Sequence, residues 1–162
     1  EFDRVLNEFN TSRAKNDIVF WEELNQKYRT LKMITLQIRD SIKNIFQLNR
    51  ANWVENVKRF ESTYLNKYGN YFTNFVIENE QAYEKYKKQD FTNKTEVISH
   101  YVRLSRIARE VGNISVNAMS TLKNYKQVND KEKMRSLERL VTKPFDRIIN
   151  DCEEKINFIQ TK

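Results

Sequence analysis

The stretch DIVFWEELNQKYRTLKMITLQIRDSIKNI, residues 17–45, decides the fold. Positions at alternating steps of three and four along it form one stripe of a helix, which we call a seam. These positions, which are mostly apolar, are Trp21, Leu24, Tyr28, Leu31, Thr35, Ile38, Ile42 and Ile45. A seven-residue period that continues over more than three heptads predicts a long helix with one stripe packed against other helices. Asp17 is a candidate N-cap for this helix.

Helical spacing of this kind recurs in the rest of the chain. It predicts three further long helices and a short amphipathic N-terminal helix, over residues 53–83, 97–125, 137–159 and 2–13. The short helix is expected to end near Asn10-Thr11-Ser12. We therefore predict an all-α fold, a bundle of three to four long amphipathic helices plus a short N-terminal helix. Residues 1–162 are expected to form a single helical domain that is a fragment of a longer protein.

Three places in the sequence bear on where helices begin and end. Residues 49–52 are either a turn that folds two helices into a hairpin or part of one rod about 100 Å long. Residues 89–97 give the clearest loop signal, and Thr95 is placed to cap the helix that follows. Pro144 either bends a long helix or lies in the first turn of a new helix capped by Thr142.

The composition excludes several kinds of site. Two glycines and one proline in 162 residues leave little material for hairpins, phosphate-binding loops or repeated strand–helix connections. A single histidine and a single cysteine cannot form a zinc finger, a His-rich metal site or a disulfide framework. We predict that the protein is not an enzyme and that it uses no cofactor and no metal.

The individual residues that often carry chemistry have structural explanations in this sequence. His100 follows Glu96 by four residues, whereas di-iron bundles use a Glu-to-His spacing of three twice, so a helix-surface histidine is expected. Cys152 lies on the seam of the last predicted helix, where we expect a buried free thiol. Trp21 and Trp53 are expected to be core residues rather than ligand contacts.

Positive charge is concentrated in the second half of the chain. The formal net charge is +7, and residues 82–162 hold 17 basic and 11 acidic side chains, against 12 and 11 in residues 1–81. A basic helical surface attracts phosphates, anionic headgroups or acidic peptides, although basic residues also simply solvate long helices. The residues predicted to bind a partner are Arg103, Arg106, Arg109, Lys131, Lys133, Arg135, Arg139 and Lys143.

The predicted partner is an anionic membrane or an acidic protein segment. Nucleic acid is not expected, because the sequence shows neither a recognition helix nor exposed aromatic residues interleaved with basic ones. Homodimerisation is left open by the sequence. A protein with this kind of partner is expected at the cytoplasmic face of a membrane or on the cytoskeleton.

The C-terminal stretch LERLVTKPFDRIINDCEEKINFIQTK, residues 137–162, resembles the second helix of BAR domains of the amphiphysin and Dbl-BAR scaffold kind. The matching positions are Val141, Pro144, Phe145, Ile148, Ile149, Ile159 and Lys162. This resemblance implies a curved, dimeric three-helix coiled coil that binds anionic membranes through lysine and arginine. The string LVTKPFDRI, residues 140–148, also resembles the conserved helix of Dbl-homology exchange domains, with Asp146 where that family usually has Gln.

The front of the chain is similar to the PHIST helical domain of exported malaria-parasite proteins. The similarity rests on EFDRVLNEF (residues 1–9), FWEEL (residues 20–24), Tyr28, Met33, Trp53 and the aromatic pair Tyr71-Phe72. It implies a non-enzymatic adaptor, exported to a host cell, that binds the acidic cytoplasmic tail of a surface adhesin or the host cytoskeleton.

Overall fold

The computed structural model describes residues 1–47, 52–89, 93–124 and 131–161, with the backbone alone over residues 9–17 and at residue 65. Five α-helices and one π-helical segment make up these ranges, which contain no strand. They are α1 (Phe2–Gln47), α2 (Trp53–Tyr64), the π-helical segment (Leu65–Gly69), α3 (Asn70–Lys87), α4 (Lys94–Asn124) and α5 (Lys131–Gln160). The predicted all-α fold is confirmed. None of these helices is both long and apolar enough to cross a membrane.

Side-chain pairs show that neighbouring helices run in opposite directions, because residue numbers rise along one helix as they fall along its neighbour. The pairs are Lys27 with Asn79, Gln37 with Tyr68, Lys32 with Glu153, Arg39 with Asp146, Glu80 with Arg109, Tyr86 with Tyr101, Arg103 with Asp151, and His100 with Phe158. The chain therefore folds as an up-down-up-down bundle, in which α2, the π-helical segment and α3 follow one another as one arm. Contacts are most extensive between α1 and α5 and between α3 and α4.

The antiparallel pairing of α1 with the next arm decides between the two alternatives for residues 49–52. Helices that pair side by side form a hairpin, so the single long rod is excluded. Residues 48–51 themselves lie outside the described part of the chain.

The core consists of the predicted seams. Its largest fully buried apolar side chains are Tyr28, Tyr101, Phe145, Leu24, Leu31, Ile38, Ile42, Leu104 and Leu122. Trp21 and Trp53 are also buried, which confirms them as core residues. Burial of such side chains stabilises the bundle by roughly 1.5–3 kcal/mol each.

The N-terminal residues differ from the prediction, because residues 2–13 are not a separate helix. They form the start of α1, which continues through Asp17 to Gln47, so Asp17 is not an N-cap. Residues 2–47 contain neither glycine nor proline, and Asn, Thr and Ser each disfavour a helix interior by less than about 1 kcal/mol. The side chains of residues 1–8 are exposed.

The π-helical segment keeps the second arm in register with the core. Tyr64 and Phe72 are both buried although they are eight residues apart, a spacing that would place them roughly 80° apart around an α-helix. A π-helical turn accommodates one additional residue and so brings both rings to the same side of the arm. The segment ends at Gly69.

The predicted cap at Thr95 is wrong, and the structure decides between the two alternatives for Pro144. Helix α4 begins at Lys94, and the carbonyl oxygen of Asn93 accepts a hydrogen bond from the backbone N–H of Val97 at 3.0 Å, so Thr95 lies inside the first turn. Helix α5 continues through Pro144, and the Thr142 hydroxyl donates to the Glu138 carbonyl at 2.7 Å, which is bonding typical of a helix interior. The new helix start at Pro144 is therefore excluded.

Candidate functional site

A row of four basic residues runs along the outer side of α5. The residues are Arg135, Arg139, Lys143 and Arg147, and we call them the α5 basic row. Their spacing of four keeps neighbours on the same side of the helix, and twelve residues at 1.5 Å give a row about 18 Å long. All four side chains are exposed, and none forms an ion pair within the described residues.

Three of the six acidic residues of α5, Asp146, Asp151 and Glu153, are paired with cations from other helices. Asp146 accepts a hydrogen bond from Arg39 of α1 at 2.6 Å, and Glu153 accepts one from Lys32 at 2.9 Å. The hydrogen bond to Asp146 raises the pKa of Arg39 above its ordinary value, chiefly because it favours the charged guanidinium. These contacts hold α5 against α1 and neutralise acids that would otherwise offset the charge of the α5 basic row.

Two of the predicted binding residues on α4 are already paired. Arg103 donates from Nη2 to Asp151 Oδ1 of α5 at 2.5 Å, and Arg109 forms an ion pair with Glu80 of α3. The bond to Asp151 is the main reason that the pKa of Arg103 lies above its ordinary value. These two arginines link α4 to its neighbours, so they are less available to a partner than the α5 basic row.

The remaining predicted residues occupy different positions. Arg106 is exposed on α4 and forms no ion pair in the described part of the chain. Lys131 and Lys133 are exposed in the first turn of α5. Lys131 precedes Arg135 by four residues and so adjoins the N-terminal end of the row, whereas Lys133, two residues from each of them, points in a different direction. The eight predicted residues therefore do not form one surface: Arg135, Arg139 and Lys143 belong to the row, and Lys131 continues its spacing toward the start of α5.

Arg147 is the member of the row that was not among the predicted binding residues. It follows Lys143 by four residues, so the same i, i+4 spacing that joins Arg135 to Arg139 could have identified it. In the structure it also lines a groove of about 250 Å³ between α4 and α5, together with Arg103, Arg106 and Glu110. The groove lies at the C-terminal end of the α5 basic row.

His100 is buried, so its expected place on the helix surface is wrong. Its Nδ1 lies 3.2 Å from the Tyr28 hydroxyl oxygen, and its ring centre lies 5.3 Å from that of Trp21. Position 100 is three residues after Val97 and four before Leu104, both buried, and this spacing places it on the seam of α4. The residue is part of an aromatic cluster in the core.

Cys152 is a buried free thiol, as predicted. Burial is the largest of the effects that raise its pKa, from 9.0 to about 12, and the nearby Asp151 carboxylate acts in the same direction. A thiol in this state is a poor nucleophile near neutral pH. Among the residues that the structure describes, no group of three His, Cys, Asp or Glu side chains is arranged to hold a metal ion.

These features define a candidate binding surface, the α5 basic row with the α4–α5 groove at its end. Comparison of the chain with models of known protein families, with curated proteins and with solved structures finds no match.

Proposed function

We propose that this protein is a non-catalytic interaction module that binds an acidic protein segment along the α5 basic row. The observation that carries the proposal is the contrast in charge pairing along α5. Three of its six acids, Asp146, Asp151 and Glu153, are paired with cations from α1 and α4. The basic residues Arg135, Arg139, Lys143 and Arg147 have no such pairing in the described chain. Unpaired surface cations in a row attract a negatively charged partner.

The shape of the row favours a protein segment over a membrane. Glu154 lies on the same side of α5 beyond the C-terminal end of the row, and it is exposed. A flat anionic bilayer that covered this side would also meet this carboxylate and be repelled by it. An extended segment of about five or six residues, at about 3.3 Å per residue, matches the 18 Å length of the row and ends before Glu154.

A peptide titration tests the proposal. The probe is a fluorescein-labelled decapeptide of alternating Glu and Gly, and binding is measured by fluorescence anisotropy at about 50 mM and about 300 mM NaCl. We expect binding that weakens with salt and that falls at least about tenfold in the double variant Arg135→Glu/Arg139→Glu, because each reversal replaces attraction by repulsion.

A matched control separates the row from net charge. The double variant Lys58→Glu/Arg59→Glu changes the charge of α2 by the same amount at two exposed positions, and we expect it to change binding less than about threefold, through long-range charge alone. Equal losses in both variants would mean that binding follows net charge and not the row. Co-sedimentation with phosphatidylserine vesicles without binding of the decapeptide would also contradict the proposal and favour a membrane.

A further inference from the structure

The groove between α4 and α5 brings arginines of two helices together. Arg106 of α4 and Arg147 of α5 line it, both exposed and without an ion pair in the described ranges. Its deeper part contains Ile107 and Ile148, which are buried. The ion pair of Arg103 with Asp151 crosses from one helix to the other in the same groove and fixes the two helices at this point.

We propose that this groove binds the phosphate group of a phosphorylated serine, threonine or tyrosine in the partner segment, held between the Arg106 and Arg147 guanidiniums. The inference rests on the proposed function for the segment, because Arg147 is the last residue of the α5 basic row. A segment that lies along the row reaches the groove without leaving α5.

A phosphate fits this groove better than a second carboxylate does. A phosphate monoester carries a charge of about −1.5 to −2 at neutral pH and three acceptor oxygens, so it can bond both guanidiniums at once. Each arginine can donate two parallel hydrogen bonds to such a group, which lysine cannot do. A carboxylate carries one charge and two oxygens, so it offsets less of the positive charge of the two arginines and has fewer acceptor oxygens for their guanidiniums.

Glu110 provides a substitution that should strengthen phosphate binding and not weaken it. It lines the groove with Arg106 and Arg147, and it is exposed. Its carboxylate repels an anion that enters the groove, so it lowers the affinity for a phosphate. Removal of this charge by Glu110→Gln is therefore expected to strengthen phosphopeptide binding, a gain that damage to the fold would not produce.

The experiment compares two decapeptides that differ by one phosphate group. Both are the alternating Glu and Gly peptide with one central Glu replaced, in one by serine and in the other by phosphoserine. At about pH 7.4 we expect the phosphopeptide to bind about tenfold more tightly, and this advantage to shrink at about pH 5, below the second phosphate ionisation near 6. The advantage should disappear in Arg106→Gln/Arg147→Gln and increase about threefold in Glu110→Gln.

The outcomes distinguish this inference from the proposed function. Equal binding of the serine and phosphoserine peptides, both lost in Arg135→Glu/Arg139→Glu, would overturn the phosphate site and leave the row intact. Failure of both peptides to bind would overturn the proposed function. If phosphoinositide-containing vesicles bind and the phosphopeptide does not, the groove recognises a lipid headgroup, and the inference of a phosphorylated protein segment is wrong.

Discussion

The inner and outer sides of α5 differ in the burial and the charge of their ionisable side chains. On the inner side Cys152 is completely buried among apolar residues such as Phe145 and Ile148, and its thiol is kept neutral. On the outer side the α5 basic row keeps four charges in water with no partner among the described residues. The inner side therefore determines how stable the bundle is, whereas the charges of the outer side are available to a second molecule.

Two arginines of α4 differ from the α5 basic row because they form ion pairs that stabilise the fold. Arg103 and Arg109 each pair with an acid on a neighbouring helix, and in doing so they connect α4 to α5 and α3. A cation that holds two helices together contributes to stability and is less available for binding. Substitutions in the three groups, the inner side, the paired arginines and the row, should therefore affect stability to different degrees.

Alkaline pH should give the largest effect, through the inner side of α5. The pKa of Cys152 is about 12 in the folded protein and near 9.0 when the thiol is exposed in the unfolded chain. Between these values the unfolded state releases its proton and the folded state does not, so stability is fully present below about pH 9 and falls as pH rises. At pH 11 this group alone should lower the free energy of unfolding by about 3 kcal/mol.

The contribution of Cys152 can be separated from that of other buried groups. Tyr64 also has a raised pKa, about 12, mainly because it is buried, so it adds to the alkaline loss of stability. The variant Cys152→Ala retains this tyrosine, and its free energy of unfolding should fall less steeply than that of the unmodified protein between about pH 9 and 11. The two slopes should differ by roughly 1.4 kcal/mol per pH unit. Urea denaturation at several pH values measures the slopes, and identical slopes would show that the thiol is not kept neutral by the fold.

Loss of the Arg103–Asp151 pair should have the next largest effect. The variant Asp151→Ala leaves the Arg103 guanidinium without its acceptor, and Arg103 Nε is already buried without a hydrogen-bond partner in the described residues. We expect a loss of about 2 kcal/mol in the free energy of unfolding, measured by urea denaturation at neutral pH.

A surface pair provides the comparison for this variant. Glu55 pairs with Arg59 one turn away on α2, and both side chains are about 70% exposed or more. Exposed pairs of this kind contribute less than about 0.5 kcal/mol, so Glu55→Ala should change stability little. Similar losses of stability in Asp151→Ala and Glu55→Ala would mean that the ion pair between α4 and α5 stabilises the protein no more than an exposed pair does.

The sequence predicts the fold well where burial imposes a period. The seam from Trp21 to Ile45 is visible because every third or fourth residue must face the core, and the structure buries its members. It predicts the helix starts poorly, because a capping side chain such as Asp17 or Thr95 changes the energy by only about 1 kcal/mol. Packing along a continuous stripe outweighs such a preference, and α1 therefore continues through Asp17.

The candidate site could be predicted only in part, because ion pairing depends on residues far apart in the sequence. Arg103 and Asp151 are separated by 48 residues, and Arg109 and Glu80 by 29. Counting charges along a segment cannot show which cations are paired with acids from another helix. Spacing along α5 does show that the members of the row lie near one another on the helix surface, since Arg135 to Arg147 recur every four residues.

The smallest expected effect on stability is that of a substitution in the α5 basic row, and we expect it to be a gain. Arg139 has like charges four residues before and after it, and each such i, i+4 pair destabilises a helix by about 0.2–0.5 kcal/mol. Glutamine has a helix propensity close to that of arginine, so Arg139→Gln should stabilise the isolated protein by about 0.5 kcal/mol at low salt. The gain should disappear at high salt, where surface charges are screened.

Urea denaturation at low and high salt measures this change, with Arg59→Gln on α2 as the control. Arg59 has an acidic partner, Glu55, so its substitution should not stabilise the protein. A loss of more than about 1 kcal/mol in Arg139→Gln would place the row among the residues that hold the bundle together. A small gain would instead mean that the row costs the folded protein stability when no partner is bound, which is the pattern expected of charges positioned for a partner.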